Sequence, residues 1–271
     1  MPVVTEHGEN QIKVGHLFNV AKALLGPMLR FGWKVRVESL ENVPAQGPAI
    51  LCPNHTSFID SVFLPLVLPR RITYVGKAEY MDDWKTKHLF PAIGMIPLDR
   101  AGGSASERAL NAAIRVLERG ELFGIFPEGT RSRDGVLHKG HTGPARLALR
   151  TGAPLVPVGL RGMRDIQPPE AKFPKPFKAC SIHFGSPISV DRYRDRVDDH
   201  FTLRQLTDEV MFEIRNLSGQ QYVDTYATKK AEDLPTEVAR VPAANGHDDG
   251  DAHRRSSADV LNPQGAVPVA H

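Results

Sequence analysis

His55 and Asp60 stand five residues apart in Asn54-His55-Thr56-Ser57-Phe58-Ile59-Asp60, and Phe126-Pro127-Glu128-Gly129-Thr130-Arg131-Ser132 follows downstream. The first string offers a proton acceptor and a carboxylate; the second sets a glycine turn beside a hydroxyl and a guanidinium. Together they suit acyl chemistry on a phosphorylated substrate. In such a scheme His55 takes a proton, while Asp60 fixes the ring's tautomer and stabilises the imidazolium. General-base help of this kind contributes roughly 10² to 10⁴ in rate.

The pair is weak evidence alone, because the chain holds 11 histidines. Ser-x-x-Asp is also a capping box, so Asp60 has a purely structural reading at a helix start. Context favours the site. Ile50 and Leu51 read as a buried strand ending at Pro53, and Ser57 can cap a helix beginning at Phe58, which puts His55 on the strand-to-helix loop. A continuous helix would separate the two residues by about 7.5 Å along its axis, so they meet only if the chain folds back. Cys52 is a rival nucleophile for a two-step transfer. Its place in an apolar strand reads instead as core. No Gly-x-Ser-x-Gly elbow marks Ser57 or Thr56 as a nucleophile.

Anion binding has its own signal. Gly94-Met95-Ile96-Pro97-Leu98-Asp99-Arg100 ends an apolar strand with an arginine, and Arg131 follows the Gly129 turn, so two guanidinium forks would converge on one phosphate. The Gly129 and Thr130 backbone N–H groups and the Thr130 hydroxyl add neutral donors. Ionised Glu128 cannot donate; it is expected to orient an arginine or accept from a substrate hydroxyl. The plain alternatives are a tight surface turn at Pro127-Glu128-Gly129 and a surface ion pair between Asp99 and Arg100.

Positioning these groups requires alternating elements. Strands are expected over 33–37, 49–52, 72–75, 122–126, 155–160 and 181–184, and helices over 57–68, 106–119, 144–150 and 203–217. Ser104 with Glu107 and Thr202 with Gln205 have capping-box spacing, and Gly120, Gly152 and Gly219 sit where helices stop. The alternation predicts an α/β fold, a mostly parallel sheet flanked by helices.

An amphipathic helix precedes it over 14–31, with Val14, Leu17, Phe18, Ala21, Leu24, Leu25 and Met28 on one side; Pro27 should kink or end it. It either packs on the core or docks on a bilayer. Lys172-Phe173-Pro174-Lys175-Pro176-Phe177-Lys178 interleaves cations with aromatics, suiting an anionic membrane surface or a solvated proline-rich loop. The chain thus divides into an N-terminal amphipathic region (1–34), membrane-associating if the helix docks on a bilayer, a domain that carries the motif strings (35–228) and, by composition, a disordered tail (229–271).

Cys52 and Cys180 are the only cysteines, far apart, which excludes a disulfide framework or cysteine zinc site and points to a reducing cytosol. The start of the chain shows no secretory signal, and no window reaches the roughly 18 to 20 apolar residues of a spanning helix. A net charge of +3 is too small to imply nucleic acid.

Taken in order, Asn54-His55-x4-Asp60, Gly94 to Arg100, Phe126 to Ser132 and Leu155-Val156-Pro157-Val158 resemble the four blocks of the glycerolipid acyltransferases, specifically those acylating 1-acylglycerol 3-phosphate. The resemblance covers roughly the middle half of the chain. It implies that His55 is the general base and Asp60 its support, and that Arg100, Glu128, Gly129, Thr130 and Arg131 bind the glycerol phosphate. Lys77 is similar in position to a basic residue kept near that site. The implied reaction moves a fatty acyl group from acyl-CoA or an acyl carrier protein to lysophosphatidic acid, with no cofactor or metal. The implied placement is peripheral, on the cytoplasmic face of the membrane. Glycerol 3-phosphate or lysoglycolipid acylation, a thioesterase and a non-catalytic membrane-binding module are the alternatives.

Overall fold

Short apolar runs bounded by turns become strands: β1 (Lys34–Glu38), β2 (Ala49–Pro53), β3 (Ile72–Lys77), β4 (Met95–Leu98), β5 (Leu122–Gly124), β6 (Leu137–His138), β7 (Leu155–Arg161), β8 (Ala179–Phe184) and β9 (Tyr222–Val223). The computed structural model describes residues 22–23, 26–27, 29, 31–77, 94–98 and 105–228. Seven strands form one sheet in the order β1-β8-β7-β2-β5-β3-β4. The five from β7 to β4 run parallel. β1 and β8 are parallel to each other but join through an antiparallel β7–β8 pair, so one edge of the sheet is reversed.

β2 is buried on both faces. Ala49 and Leu51 pack with Phe63 and Leu64, while Ile50 and Cys52 pack with Leu117, Leu147 and Leu155. Two-sided burial is why this strand reads as an uninterrupted apolar run. The covering helices are α1 (Asp60–Val67), α2 (Ala105–Glu118), α3 (Gly143–Thr151), α4 (Met163–Ile166) and α5 (His200–Ser218). α1 lies on the first face; α2, α3 and α5 supply Val116, Ala148, Leu206 and Ile214 to the second.

Several boundaries differ from expectation for local reasons. α1 starts at Asp60, three residues after Ser57, whose hydroxyl accepts from Ile59 N (3.4 Å) and donates to the Gln167 carbonyl (2.7 Å); the helix has no side-chain cap at Ile59. α5 is capped by Asp199, whose carboxylate accepts from the Phe201 and Thr202 N–H groups; Thr202 spends its own hydroxyl on that carboxylate. Gly152 and Gly219 end α3 and α5 at φ of 71° and 70°, as the sequence suggests. Pro27 does not end the N-terminal helix: residues 26–27, 29 and 31–32 are helical. A helical proline forfeits one backbone hydrogen bond, which need not stop the helix. Leu29 there is in the core. The rest of the 14–31 helix, Ser104, the Asp99-Arg100 pair and the tail from 229 lie outside the described residues. Among the described residues no helix is long and apolar enough to cross a membrane.

Parallel strands present their C-terminal ends on one sheet edge, where ligands of open α/β sheets bind. The loops after β2 and β5 leave from that edge. So does the end of β3, where Lys77 pairs in register with Leu98, the last residue of β4 and two short of Arg100.

Candidate active site

The site begins where β2 runs out. Asn54 extends the sheet's hydrogen bonding with its side chain: Oδ1 accepts from Leu160 N (2.7 Å), and Nδ2 donates to Leu160 O (3.0 Å) and Gln220 Oε1 (2.7 Å). With the strand anchored there, the next six residues fold back on themselves. Asp60 Oδ2 accepts from Thr56 N and Ser57 N, both at 2.8 Å, and lies 3.0 Å from His55 Nδ1. One carboxylate oxygen therefore makes both the turn contacts and the ring contact. Its carboxylate closes the turn into α1 and also grips the ring.

A carboxylate only accepts, so the proton between these groups sits on Nδ1 when the imidazole is neutral, and Nε2 keeps its lone pair. Asp60 is fully buried, whereas the His55 side chain keeps 15% of its exposure. The ring face stacks on Phe126 (3.9 Å between centroids, 20° between planes), and Phe126 stacks in turn on Tyr74. Room for Tyr74 comes from Gly124, where a Cβ would fall 2.0 Å from the phenol ring. Burial, and then the charge on Asp60, push the Tyr74 phenol well above its usual range, so it is neutral.

Glu128 has a different place from the one expected. It is buried, with Oε1 accepting from His55 N (2.8 Å) and Oε2 from His138 N (3.1 Å). Among the described residues it pairs with no arginine. Instead it joins the two motif strings through the backbone of the histidine, and Ser132 N donates to His55 O (2.7 Å) from the other side. His55 is thus held at its amide, its carbonyl, its ring face and Nδ1. Burial raises the Glu128 carboxyl from the usual 4.5 to about 7, against the lowering pull of the two backbone N–H groups.

The anion side is looser. Gly129 is exposed at φ 73°, and Thr130 and Arg131 are part-buried on the same loop. The Gly129 N–H is spent on Phe126 O (3.1 Å), so it cannot serve a phosphate as expected. Turn closure takes that donor. Arg131 is adjacent in sequence to Ser132, whose N–H donates to the His55 carbonyl, so the loop that carries Arg131 lies against the loop that carries the base. Arg100 lies outside the described residues. For Lys77 only the backbone position, at the same sheet edge, is described.

Two groups escaped the sequence reading. His138 Nε2 lies 3.1 Å from Asp134 Oδ1, both nearly buried behind Glu128. The hydrogen bond that His138 donates to Asp134 raises the His138 pKa against burial. Burial works to raise Asp134, but hydrogen bonds from His138 and Ser132 prevail and lower it. Asn54 was visible only as part of a string. The usable signal was its position straight after a doubly buried strand, where exposed backbone groups demand partners. Cys52 is fully buried, its thiol pushed up by desolvation and turned to Ile50 O, away from nucleophilic duty.

A family model described as Acyltransferase matches residues 34–161, a stretch containing both motif strings. The 1-acyl-sn-glycerol-3-phosphate acyltransferase of Bacillus subtilis is 32% identical over 145 residues, covering 53% of this chain and 69% of that protein. A chloroplastic 1-acyl-sn-glycerol-3-phosphate acyltransferase of Arabidopsis thaliana is 31% identical over 137 residues; these cover 50% of this chain but 38% of the plant protein, so the match spans well under half of that relative. The crystal structure of the 1-acyl-sn-glycerophosphate (LPA) acyltransferase PlsC from Thermotoga maritima aligns with a TM-score of 0.56 and 25% identity, covering 76% of this chain and 78% of that one.

Proposed function

The chain belongs to the glycerolipid acyltransferase family, and from that premise we propose that it transfers a fatty acyl group from a thioester to the free hydroxyl of 1-acylglycerol 3-phosphate. The donor is acyl-CoA or acyl carrier protein, and the product is phosphatidic acid. His55 Nε2 removes the hydroxyl proton as the oxygen attacks the thioester carbonyl. Asp60 stabilises the imidazolium so formed. Collapse of the tetrahedral intermediate expels the thiolate, which takes the proton back from His55. No enzyme acyl intermediate forms, and no cofactor enters because the thioester is already activated. Arg131, with Arg100, Thr130 and Lys77, holds the acceptor phosphate near the base. Glu128 acts through the backbone as a positioning residue.

The observation that carries this reading is the 3.0 Å contact between His55 Nδ1 and Asp60 Oδ2 on a loop gripped by the second motif string. Because lysophosphatidate is a membrane lipid, the enzyme works peripherally at a bilayer, on the cytoplasmic face in this proposal. The test is purified protein with labelled acyl-CoA and lysophosphatidate, followed by positional analysis of the product. Label in phosphatidic acid is expected. Free fatty acid released without acceptor, or ester formed only with glycerol 3-phosphate or a lysoglycolipid, would overturn the assignment.

A further inference from the structure

The segment Lys172 to Lys178 takes no part in the chemistry above, yet it is built rather than merely solvated. Lys175 N donates to Ile166 O (2.7 Å), Phe177 N to Gly32 O (2.7 Å) and Lys34 N to Lys178 O (3.0 Å). Trp33 Nε1 donates to Lys175 O (2.7 Å), and the indole packs edge-on against Phe63. These bonds fix the loop against the end of the N-terminal helix and leave three rings outside. Phe173 and Phe177 are each 75% exposed, and Phe31 is 84% exposed. Phe177 also holds φ 59°, a left-handed conformation that a glycine or asparagine adopts with less strain.

Beside these rings lies a cavity of about 450 Å³ lined by Arg164, Asp165, Pro168, Lys175, Lys178 and Ala179. Three cations face one carboxylate there. Arg164 is held in place by donating to Arg133 O (2.7 Å). Exposed phenylalanines beside lysines on a fixed backbone suit the interfacial zone of an anionic bilayer: rings enter the acyl boundary while cations meet headgroup phosphates.

We propose that this face is a bilayer-docking surface in which Phe31, Phe173 and Phe177 enter the membrane interface and the basic cavity receives the headgroup phosphate of an anionic phospholipid. The proposal rests on the reading of this chain as an enzyme of membrane lipids, and it adds a contact outside the catalytic loop. The two are coupled through covalent neighbours. Pro168 follows Gln167, whose carbonyl holds Ser57 of the catalytic loop, and Arg133 stands two residues beyond Arg131. Docking this face would turn that rim toward the lipid phase that holds the acceptor.

Vesicle co-sedimentation tests it, with phosphatidylcholine alone against phosphatidylcholine containing phosphatidylglycerol. The wild type should prefer the anionic vesicles. Each lysine near an anionic surface contributes about fivefold in binding, so Lys175→Gln with Lys178→Gln should weaken binding to anionic vesicles on the order of 30-fold. Phe177→Asn should also weaken it while leaving thermal stability equal or higher, an outcome that a purely structural role for Phe177 does not predict. Both variants should keep wild-type turnover on a short-chain, monomeric lysophosphatidate. Wild-type vesicle affinity in both variants, or equal binding of the wild type to the two vesicle types, overturns the docking surface. Absence of turnover on the soluble acceptor in the wild type would instead overturn the enzymatic reading.

Discussion

On the His55 side of the sheet edge, the groups that set the ring's position are buried and, apart from Asp60 Oδ1 and the Tyr74 hydroxyl, hydrogen-bonded or stacked. Asp60 Oδ2 takes three partners, Glu128 grips two amides, and Phe126 backs the ring. On the Gly129-Thr130-Arg131 side, a few residues away in the same loop system, the side chains are exposed or part-buried. The contrast follows from what each must do. A general base must meet one proton at one distance, and a small displacement is costly in rate. A phosphate is a diffuse target with several oxygens, which a long guanidinium reaches from several rotamers.

The largest effect should come from the rigid side. His55→Ala should lower turnover by roughly 10² to 10⁴, read as single-turnover acyl transfer. Asp60→Asn should lower it strongly as well and, unlike His55→Ala, destabilise the fold by about 1–3 kcal/mol, because its carboxylate also answers buried backbone donors. Wild-type turnover in either variant would end the proposed mechanism.

Glu128→Gln comes next. An amide cannot accept from both His55 N and His138 N without turning its NH₂ toward one of them. We expect turnover to fall about 10- to 100-fold, on the order of 1–3 kcal/mol of lost positioning, with the acceptor KM nearly unchanged. A large rise in KM would return Glu128 to the substrate-binding role that the sequence suggested. Stability supplies an independent readout with a definite sign. A carboxyl raised from 4.5 to about 7 holds its proton more tightly folded than unfolded. Its contribution to stability is full below pH 4.5 and is lost as pH rises to about 7. Glu128→Gln should flatten that part of the stability–pH curve in chemical denaturation. His138 declines in the same direction above pH 6.5, and its hydrogen bond to Asp134 keeps part of that slope in the variant.

Arg131→Ala should raise the acceptor KM about tenfold, as for a lost charged hydrogen bond, and change the thioester KM much less. Equal penalties on both substrates would break the division of the pocket into a rigid wall and an adaptable one.

The same contrast explains what could be read from sequence. The strand ends and the fold-back of Asp60 onto His55 were legible because β2 is apolar throughout and ends at a proline, leaving the next polar residues at the sheet edge. The role of Glu128 was not, because nothing local says that an acid between Pro127 and Gly129 is buried or that its partners are amides 10 and 73 positions away. Nor was the reversed edge of the sheet, since strands β7 and β8 carry the same apolar signature whichever way they pair. Side-chain-to-backbone contacts across the chain have no period, so patterning that finds strands and helices misses them.

The smallest expected effect falls on Cys52. Three residues before His55 in sequence, it lies on the opposite side of the chemistry, fully buried with Ile50, Leu117 and Leu155 in the core formed by α2, α3 and α5. Desolvation holds its thiol far above the range in which thiolate forms, so it has neither exposure nor ionisation to attack a thioester. Cys52→Ala should leave turnover within about twofold of wild type while lowering stability by about 1–2 kcal/mol, the effect of removing a small buried group. Acid quench of a single turnover should recover no acyl label on the protein. Label retained by the wild type and lost in Cys52→Ala would show acyl transfer in two steps through sulfur, and His55 would then serve the thiol rather than the acceptor hydroxyl.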